Sequence, residues 1–287
     1  AGQGVAKKVD PYGDSVAAAV GLKGGSWTAQ HDAMKWTLFD LWREFDGEVR
    51  CEVSKLFAYL LEQRDAFDAL DKRKRQGLVP DLMLTKPRTA QRSLGDVKTL
   101  HRGSSTYRES DTNPGKRGEA VARRARQVHR EYVRKARRLD KDFGDGAPLA
   151  DGEVGAVQRK LAEFGRIRGF VFGAVGECSP DVDKFITELA EMGAERKWRK
   201  MGARNVREAK GIIVGMARQA IGIAAVRSAA RCKLDRLAEI DADEEGGAVH
   251  WRHERFNFDE QRRYRRNLAG HRRAQRFSGP RAHSRGG

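Results

Sequence analysis

The sequence predicts a mixed α/β fold, and three observations carry that reading. Val49, Cys51 and Val53 alternate with Arg50, Glu52 and Ser54, the period-two pattern of a half-buried strand. Val121, Ala125, Val128, Tyr132, Ala136 and Leu139 recur at steps of three and four, the stripe of an amphipathic helix. Residues 169–176 form an apolar, β-prone run bounded by glycines, which reads as a central buried strand.

The other elements follow in order. Ser26 or Thr28 caps a first helix on which Met34, Leu38, Leu41, Trp42 and Phe45 recur at helical spacing, and Asp46-Gly47 stops it. After the alternating strand, residues 56–61 fit helix and strand equally, and 65–76 read as a charged connector. Residues 78–84 have strand length, with Pro80 tolerated near the start. A turn over 86–93 leads to a further strand over 94–100, close enough to pair as a hairpin. Residues 103–115 are a Ser-, Thr- and Gly-rich loop with room for one more short strand around Thr106-Tyr107. The striped helix covers about 118–143, a linker runs over 142–155, and a short helix covers 157–164. Ser179-Pro180-Asp181 opens a helix carrying Val182, Phe185, Ile186, Leu189 and Met192 on one face. A last helix runs from Asn205 or Arg207 to about Leu237, and its Gly211, Gly215 and Gly222 would permit close approach to a neighbour. The expected organisation is a flexible segment over 1–26, an α/β domain with a helical C-terminal extension over 27–240, and an Arg-rich tail over 241–287.

Composition bounds the function. Hydrophobic residues make up 39% of the 287 residues, enough for a real core. Lys and Arg number 57 against 40 Asp and Glu, a net charge of +17, and the commonest partner for such a surplus is nucleic acid. The apolar run 211–226 is short of the roughly 20 residues a bilayer span requires and contains Arg218 and Gln219, so a packed helix is expected and a membrane protein is not. Cys51, Cys178 and Cys232 are odd in number, lie far apart and lack zinc-ligand spacing, which points to a reducing, intracellular compartment. Residues 1–25 lack an initiator Met and a secretory apolar stretch; they read as the stub of a longer precursor or a fragment of a larger polypeptide.

One constellation could do chemistry. One strand-like run carries Pro80-Asp81, and the next carries Asp96-Val97-Lys98. On a strand, residues i and i+2 share a face, so Asp96 and Lys98 project together, and pairing of the two strands would bring Asp81 to them. Two carboxylates and the Val97 carbonyl are hard oxygen ligands of the kind Mg²⁺ prefers, and Lys98 could position a water for attack on a phosphodiester. Two other acid-x-Lys triplets, Glu195-Arg196-Lys197 and Glu208-Ala209-Lys210, lie on helix-like sequence, where i and i+2 are about 200° apart and cannot line one site.

These residues resemble the PD-(D/E)xK nuclease superfamily. The resemblance implies a restriction-endonuclease-like core of helix, three-stranded meander, helix and strand, with C-terminal helices and a basic tail added. It further implies Mg²⁺ as cofactor, Asp81 and Asp96 as catalytic metal ligands with the Val97 carbonyl, Lys98 as the catalytic lysine, and an acid on the first helix. Asp32 and Glu44 are the candidates for that acid, and Asp32 is favoured. A second resemblance spans about 117–237 and includes Arg166-Ile167-Arg168-Gly169-Phe170-Val171-Phe172-Gly173-Ala174-Val175-Gly176-Glu177. That region looks like the downstream part of protist retroelement open reading frames, which implies a retroelement-derived endonuclease. A nuclear location follows by default, with an organelle as the alternative.

Two segments suit a nucleic-acid partner, DNA ahead of RNA. Residues 116–141 hold eleven basic residues against three acids, and Arg123, Arg124, Arg126, Arg130, Arg134, Arg137 and Arg138 are the expected backbone contacts. The tail over 248–287 has eleven arginines among Trp251, Phe256, Phe258, Tyr264 and Phe277, a mixture suited to stacking on unpaired bases. A bland reading weighs against each: a solvated charged face for the helix, and turn-adjacent surface carboxylates for Asp81 and Asp96. A non-catalytic nucleic-acid-binding or ribonucleoprotein component is accordingly the alternative to a nuclease. His31, His101 and His129 stand isolated in sequence, and Cys178 has no obvious His partner.

Overall fold

The computed structural model describes residues 26–69, 78–100, 114–144, 153–174 and 176–244. The chain divides into Ala1–Asp241 and Ala242–Gly287, and the first unit carries everything below except the last residues of the final helix.

Helix α1 (Ser26–Glu44) ends where the sequence turns left-handed. Asp46 adopts φ 67°, its N–H donates to Arg43 O, and Gly47 N–H reaches back to Trp42 O at 3.0 Å. That pair of bonds satisfies carbonyls the helix would otherwise leave open. Strand β1 (Glu48–Cys51) follows and stops two residues earlier than the alternation suggests, because Glu52 adopts φ 49° and leaves the ladder. A 3₁₀ turn (Ala58–Leu60) and a short helix α2 (Arg64–Asp68) come next. The connector expected from Asp65 onward is thus helical at its start, since Phe67 is buried and meets the edge of Phe143 at 5.4 Å. Its remainder over 70–77, the expected strand near Thr106-Tyr107 and the basic tail from 245 lie outside the described residues.

Strand β2 (Leu82–Thr85) is shorter than the expected run 78–84; Pro80 supplies no N–H, and Leu78 is buried outside the ladder. β2 pairs antiparallel with β1 and with β3 (Arg92–Thr99), so the expected hairpin is present. The chain then runs through α3 (Pro114–Phe143) and α4 (Ala156–Glu163) before β4 (Arg168–Phe172) joins β3 in parallel. Among the described residues the sheet order is β1-β2-β3-β4, which puts β4 at an edge and corrects the expectation of a central strand. Its apolarity has another cause: Gly169, Phe170, Val171 and Phe172 are buried because helices cover both faces of the sheet.

On one face Leu82, Leu84, Val97, Phe170 and Phe172 pack with α1, α5 (Pro180–Lys197) and α6 (Val206–Glu244). Trp42 and Phe185 stack at its centre, 5.3 Å between rings. On the other face Met83 and Leu94 pack with Val128, Tyr132 and Ala136 of α3 and with Val157 and Leu161 of α4. The architecture is a three-layer α/β domain around a four-stranded mixed sheet. Close approach is required at Gly169, where a Cβ would lie 2.6 Å from the Ala125 Cα, so α3 packs directly onto the β4 backbone.

Helix α6 departs from expectation twice. Gly211, Gly215 and Gly222 face open space, with nothing within 4 Å of where a Cβ would stand, so they admit no close neighbour among the described residues. The helix instead packs through Ala209, Ile213, Ala217 and Ile221, leaving Ile223 and Val226 44% and 70% exposed. It also continues past the expected end near Leu237 to Glu244, and Val206–Asp235 is long and apolar enough, by length and composition alone, to cross a membrane.

Candidate active site

The site forms where β2 begins. Leu82 pairs with Gly95, so Asp81, one residue earlier, lies beside Asp96 at the point where the β2–β3 ladder ends. There the Asp81 side chain replaces the missing strand: Val97 N–H donates to Asp81 Oδ2 at 2.6 Å. A strand residue's N–H and C=O point to the same side, so the Val97 carbonyl emerges on that edge too. Asp96 and Lys98 share a face as their spacing predicts, with Lys98 Nζ 2.5 Å from Asp96 Oδ2. The Val97 side chain points the other way, into the core.

Helix α3 fixes Asp96 from across the sheet face. The Tyr132 hydroxyl lies 2.8 Å from Val79 O and 3.0 Å from Asp96 Oδ1, its one proton shared between two acceptors. Helix α1 meets Asp81. His31 Nε2 is 3.1 Å from Asp81 Oδ2 and His31 Nδ1 is 3.1 Å from Asp32 Oδ1. Lys35, buried and one helical turn on, pairs with Asp32 at 2.9 Å and with Glu52. The left-handed turn at Glu52 is what sends that carboxylate back toward α1, and Glu52 N–H donates to Asp81 O at 3.2 Å.

These contacts separate the two central carboxyls. Burial raises the proton affinity of Asp96, Lys98 only partly offsets it, and neighbouring Asp81 adds to it. Burial acts the same way on Asp81, but the His31 hydrogen bond and charge, Val97 N–H and Lys98 outweigh it and hold that carboxyl below its usual range. Burial pulls His31 down, and its hydrogen bonds to Asp32 and Asp81 more than compensate, raising it to about 9. At neutral pH it is an imidazolium that donates to both. Burial, then Asp96, drives the Tyr132 phenol upward, so it remains a donor. A pair of titratable groups with opposed environments is the arrangement that acid–base chemistry uses.

The structure therefore brings Asp81, Asp96, Val97 and Lys98 together and joins Asp32 to them through His31. Glu44 closes the far end of α1, about 18 Å along the helix from Asp32. The seven arginines sit on α3; Arg124 is half-buried against Glu131 at 2.5 Å, and the other six are exposed. On α5 Glu195 pairs with Arg88 while Arg196 and Lys197 both reach Asp46, so the acid and the lysine of that triplet part. Asp181 is buried and accepts Gly169 N–H at 2.8 Å. The Cys178 thiol is pushed up to about 11, first by burial and then by Asp183 and Glu177, so it stays protonated at neutral pH.

Four members of the cluster escape sequence reasoning: His31, Lys35, Glu52 and Tyr132. The i,i+4 spacing of His31 and Lys35 is the one local signal, since it places both on one side of α1. Tyr132 is legible as a core residue, and only the fold shows where its hydroxyl goes.

The donor set suits a hard cation. Among the described residues no group of three or more His, Cys, Asp or Glu side chains is disposed to hold a metal ion. Two carboxylates and a carbonyl nevertheless match the habit of Mg²⁺, which takes one or two carboxylates and fills its shell with water and phosphate oxygens. Compared with known proteins, the chain matches no family model, no curated protein and no solved structure.

Proposed function

We propose that this chain is a Mg²⁺-dependent nuclease of the PD-(D/E)xK kind, acting on nucleic acid. The observation that carries the proposal is the convergence of Asp81 with Asp96 and Lys98, which lie together on a separate run of sequence, at one end of the β2–β3 hairpin. The order of elements supports it: a helix, a three-stranded antiparallel meander, a helical crossover and a fourth strand parallel to the third. A retroelement origin, as the resemblance implies, belongs to the same proposal.

Asp81, Asp96 and the Val97 carbonyl would hold Mg²⁺. When bound, the ion supplies Lewis acidity toward a phosphate oxygen and acidifies water. Lys98 is about one-third exposed, so its ammonium reaches the solvent side of Asp96, where it orients the attacking water and opposes charge building on the phosphoryl oxygens. The water oxygen bonds to phosphorus as its proton passes to bulk water, the P–O bond to the leaving sugar breaks, and the leaving oxygen takes up a proton from bulk water. Tyr132 fixes the rotamer of Asp96. His31, held by Asp32, steadies Asp81 without occupying both of its oxygens.

One observation favours the alternative, a non-catalytic nucleic-acid-binding or ribonucleoprotein component. The acids of the cluster already have cations inside the chain: His31 on Asp81, Lys98 on Asp96, Lys35 on Asp32 and Glu52. Labelled single- and double-stranded DNA and RNA, incubated at low salt with Mg²⁺ or EDTA, decide between them. Cleavage that needs Mg²⁺ and disappears in Asp96→Ala supports the nuclease. Cleavage by Asp96→Ala at the wild-type rate refutes the mechanism, and salt-sensitive binding without cleavage selects the alternative.

A further inference from the structure

Helix α3 has two faces that point in opposite directions. At about 100° per residue, Arg123, Arg126, Arg130, Arg134, Arg137 and Lys141 fall within an arc of about 80°. All six are exposed, and none has an ion-pair partner among the described residues. Val121, Ala125, Val128, Tyr132 and Ala136 form the buried arc, centred about 160° away round the same helix. The face that holds Asp96 through Tyr132 is therefore the reverse of the face that carries the arginines. A helix is about 10 Å thick with its side chains, so the guanidinium groups stand at least that far from Tyr132, with α3 itself in between.

The ridge is one-signed, which a merely solubilising surface is not. Between Arg123 and Lys141 no acid shares its arc. Glu131 and Asp142 lie at its flanks and are taken by Arg124 and Arg138. Asp140 is buried, accepting Val157 N–H at 2.7 Å and Gln158 N–H at 2.9 Å at the start of α4. From residue 123 to 141 the ridge extends about 27 Å, the reach of about eight successive phosphates on one strand of a duplex. Guanidinium groups suit phosphate oxygens, and nothing on this face reads bases.

We infer that the outer face of α3 is a second nucleic-acid backbone site, which holds a segment other than the one presented to Asp81 and Asp96. The inference rests on the nuclease reading for the identity of the first site and adds that the two segments bind on opposite sides of one helix. The ridge contributes affinity and sequence-independent tethering. It does not position the scissile phosphate.

The test is the triple variant Arg126→Gln/Arg130→Gln/Arg134→Gln, whose positions are exposed and unpaired, with circular dichroism as the folding control. On a duplex of about 40 base pairs the variant binds more weakly, and its plot of log affinity against log salt is shallower by about 2.7, at about 0.9 for each lost phosphate contact. On a duplex of about eight base pairs, too short to occupy both faces, the variant loses less of its turnover at saturation than it loses on the long duplex. An unchanged salt slope overturns the backbone site. A turnover loss on the short duplex equal to that on the long one overturns the separation of segments. If wild type cleaves neither duplex, the nuclease reading fails by itself, and stoichiometry judges the ridge: the variant binds one short duplex fewer per chain, and an equal number in both proteins refutes the second site.

Discussion

Tyr132 and Asp96, thirty-six residues apart, meet at 3.0 Å between the phenol and Oδ1, and this contact ties the middle of α3 to the carboxylate-bearing face of β3. Tyr132→Phe keeps the buried ring and deletes only the hydroxyl and the proton it shares. Asp96 Oδ1 and Val79 O then lose a donor in a place that water reaches poorly, which should cost about 1–3 kcal/mol in urea denaturation. Under the proposed nuclease mechanism cleavage should fall as well, because the Asp96 carboxyl gains rotational freedom and even higher proton affinity. A variant as stable and as active as wild type would show that the bond does no positioning.

The parts of the fold that were legible in the sequence are those where one local period governs burial. The stripe from Val121 to Leu139 marked α3, and the alternation at Val49 and Cys51 marked β1, because one face of each is exposed and the other is buried in α3 and half-buried in β1. Period fails where both faces are covered: the run at 169–176 announces burial but cannot tell an edge strand beneath two helices from a central one. Glycines mislead for a related reason. Gly169 admits α3 so closely that a Cβ would lie 2.6 Å from Ala125 Cα, whereas a Cβ on Gly211, Gly215 or Gly222 would meet nothing, and a sequence does not record who the neighbour is. In the site, Asp81, Asp96 and Lys98 were readable because strand geometry alone aligns them. His31, Lys35, Glu52 and Tyr132 arrive from α1, from a left-handed turn and from α3, and only tertiary packing brings them in.

Lys98→Ala separates chemistry from binding. The ammonium is one charge in a chain of net +17, so affinity for a long duplex at moderate salt should stay within a few-fold of wild type. Loss of a cation aimed at developing phosphoryl charge should lower the single-turnover rate by about 10²–10³-fold. Filter binding and single-turnover cleavage on the same substrate give both numbers. Parallel losses in the two would make Lys98 a binding residue and remove it from the mechanism.

Gly169→Ala tests the packing that sets the site. The added methyl would sit 2.6 Å from Ala125 Cα and 2.8 Å from its carbonyl oxygen, and neither backbone atom can swing away as a side chain can. Helix α3 must lift from β4, at about 1–3 kcal/mol for overpacking. Tyr132 moves with the helix, so the rate on a short substrate should drop further than the same loss of stability produces in a variant on α6, such as Ile221→Val. Equal rates in the two variants would mean that Asp96 does not depend on the placement of α3.

Glu188 gives the pH dependence a sign. It lies buried on α5, 2.7 and 3.0 Å from the two terminal nitrogens of Arg168 and 3.4 Å from Lys86. Burial alone would raise its pKa, but the Arg168 hydrogen bonds and charge, followed by Lys86, prevail and lower it. A carboxyl with a lower pKa folded than unfolded contributes stability above its unfolded value, near 4.5, and loses that contribution as pH falls through the folded value. Glu188→Gln should therefore be less stable than wild type at pH 7, by an amount on the order of 2–3 kcal/mol for a paired buried charge. The gap should narrow as both proteins are taken below the ordinary carboxylate range. Thermal unfolding across that range checks the sign, and a gap that stays constant down to strong acid would mean that Glu188 is protonated in the folded chain at neutral pH.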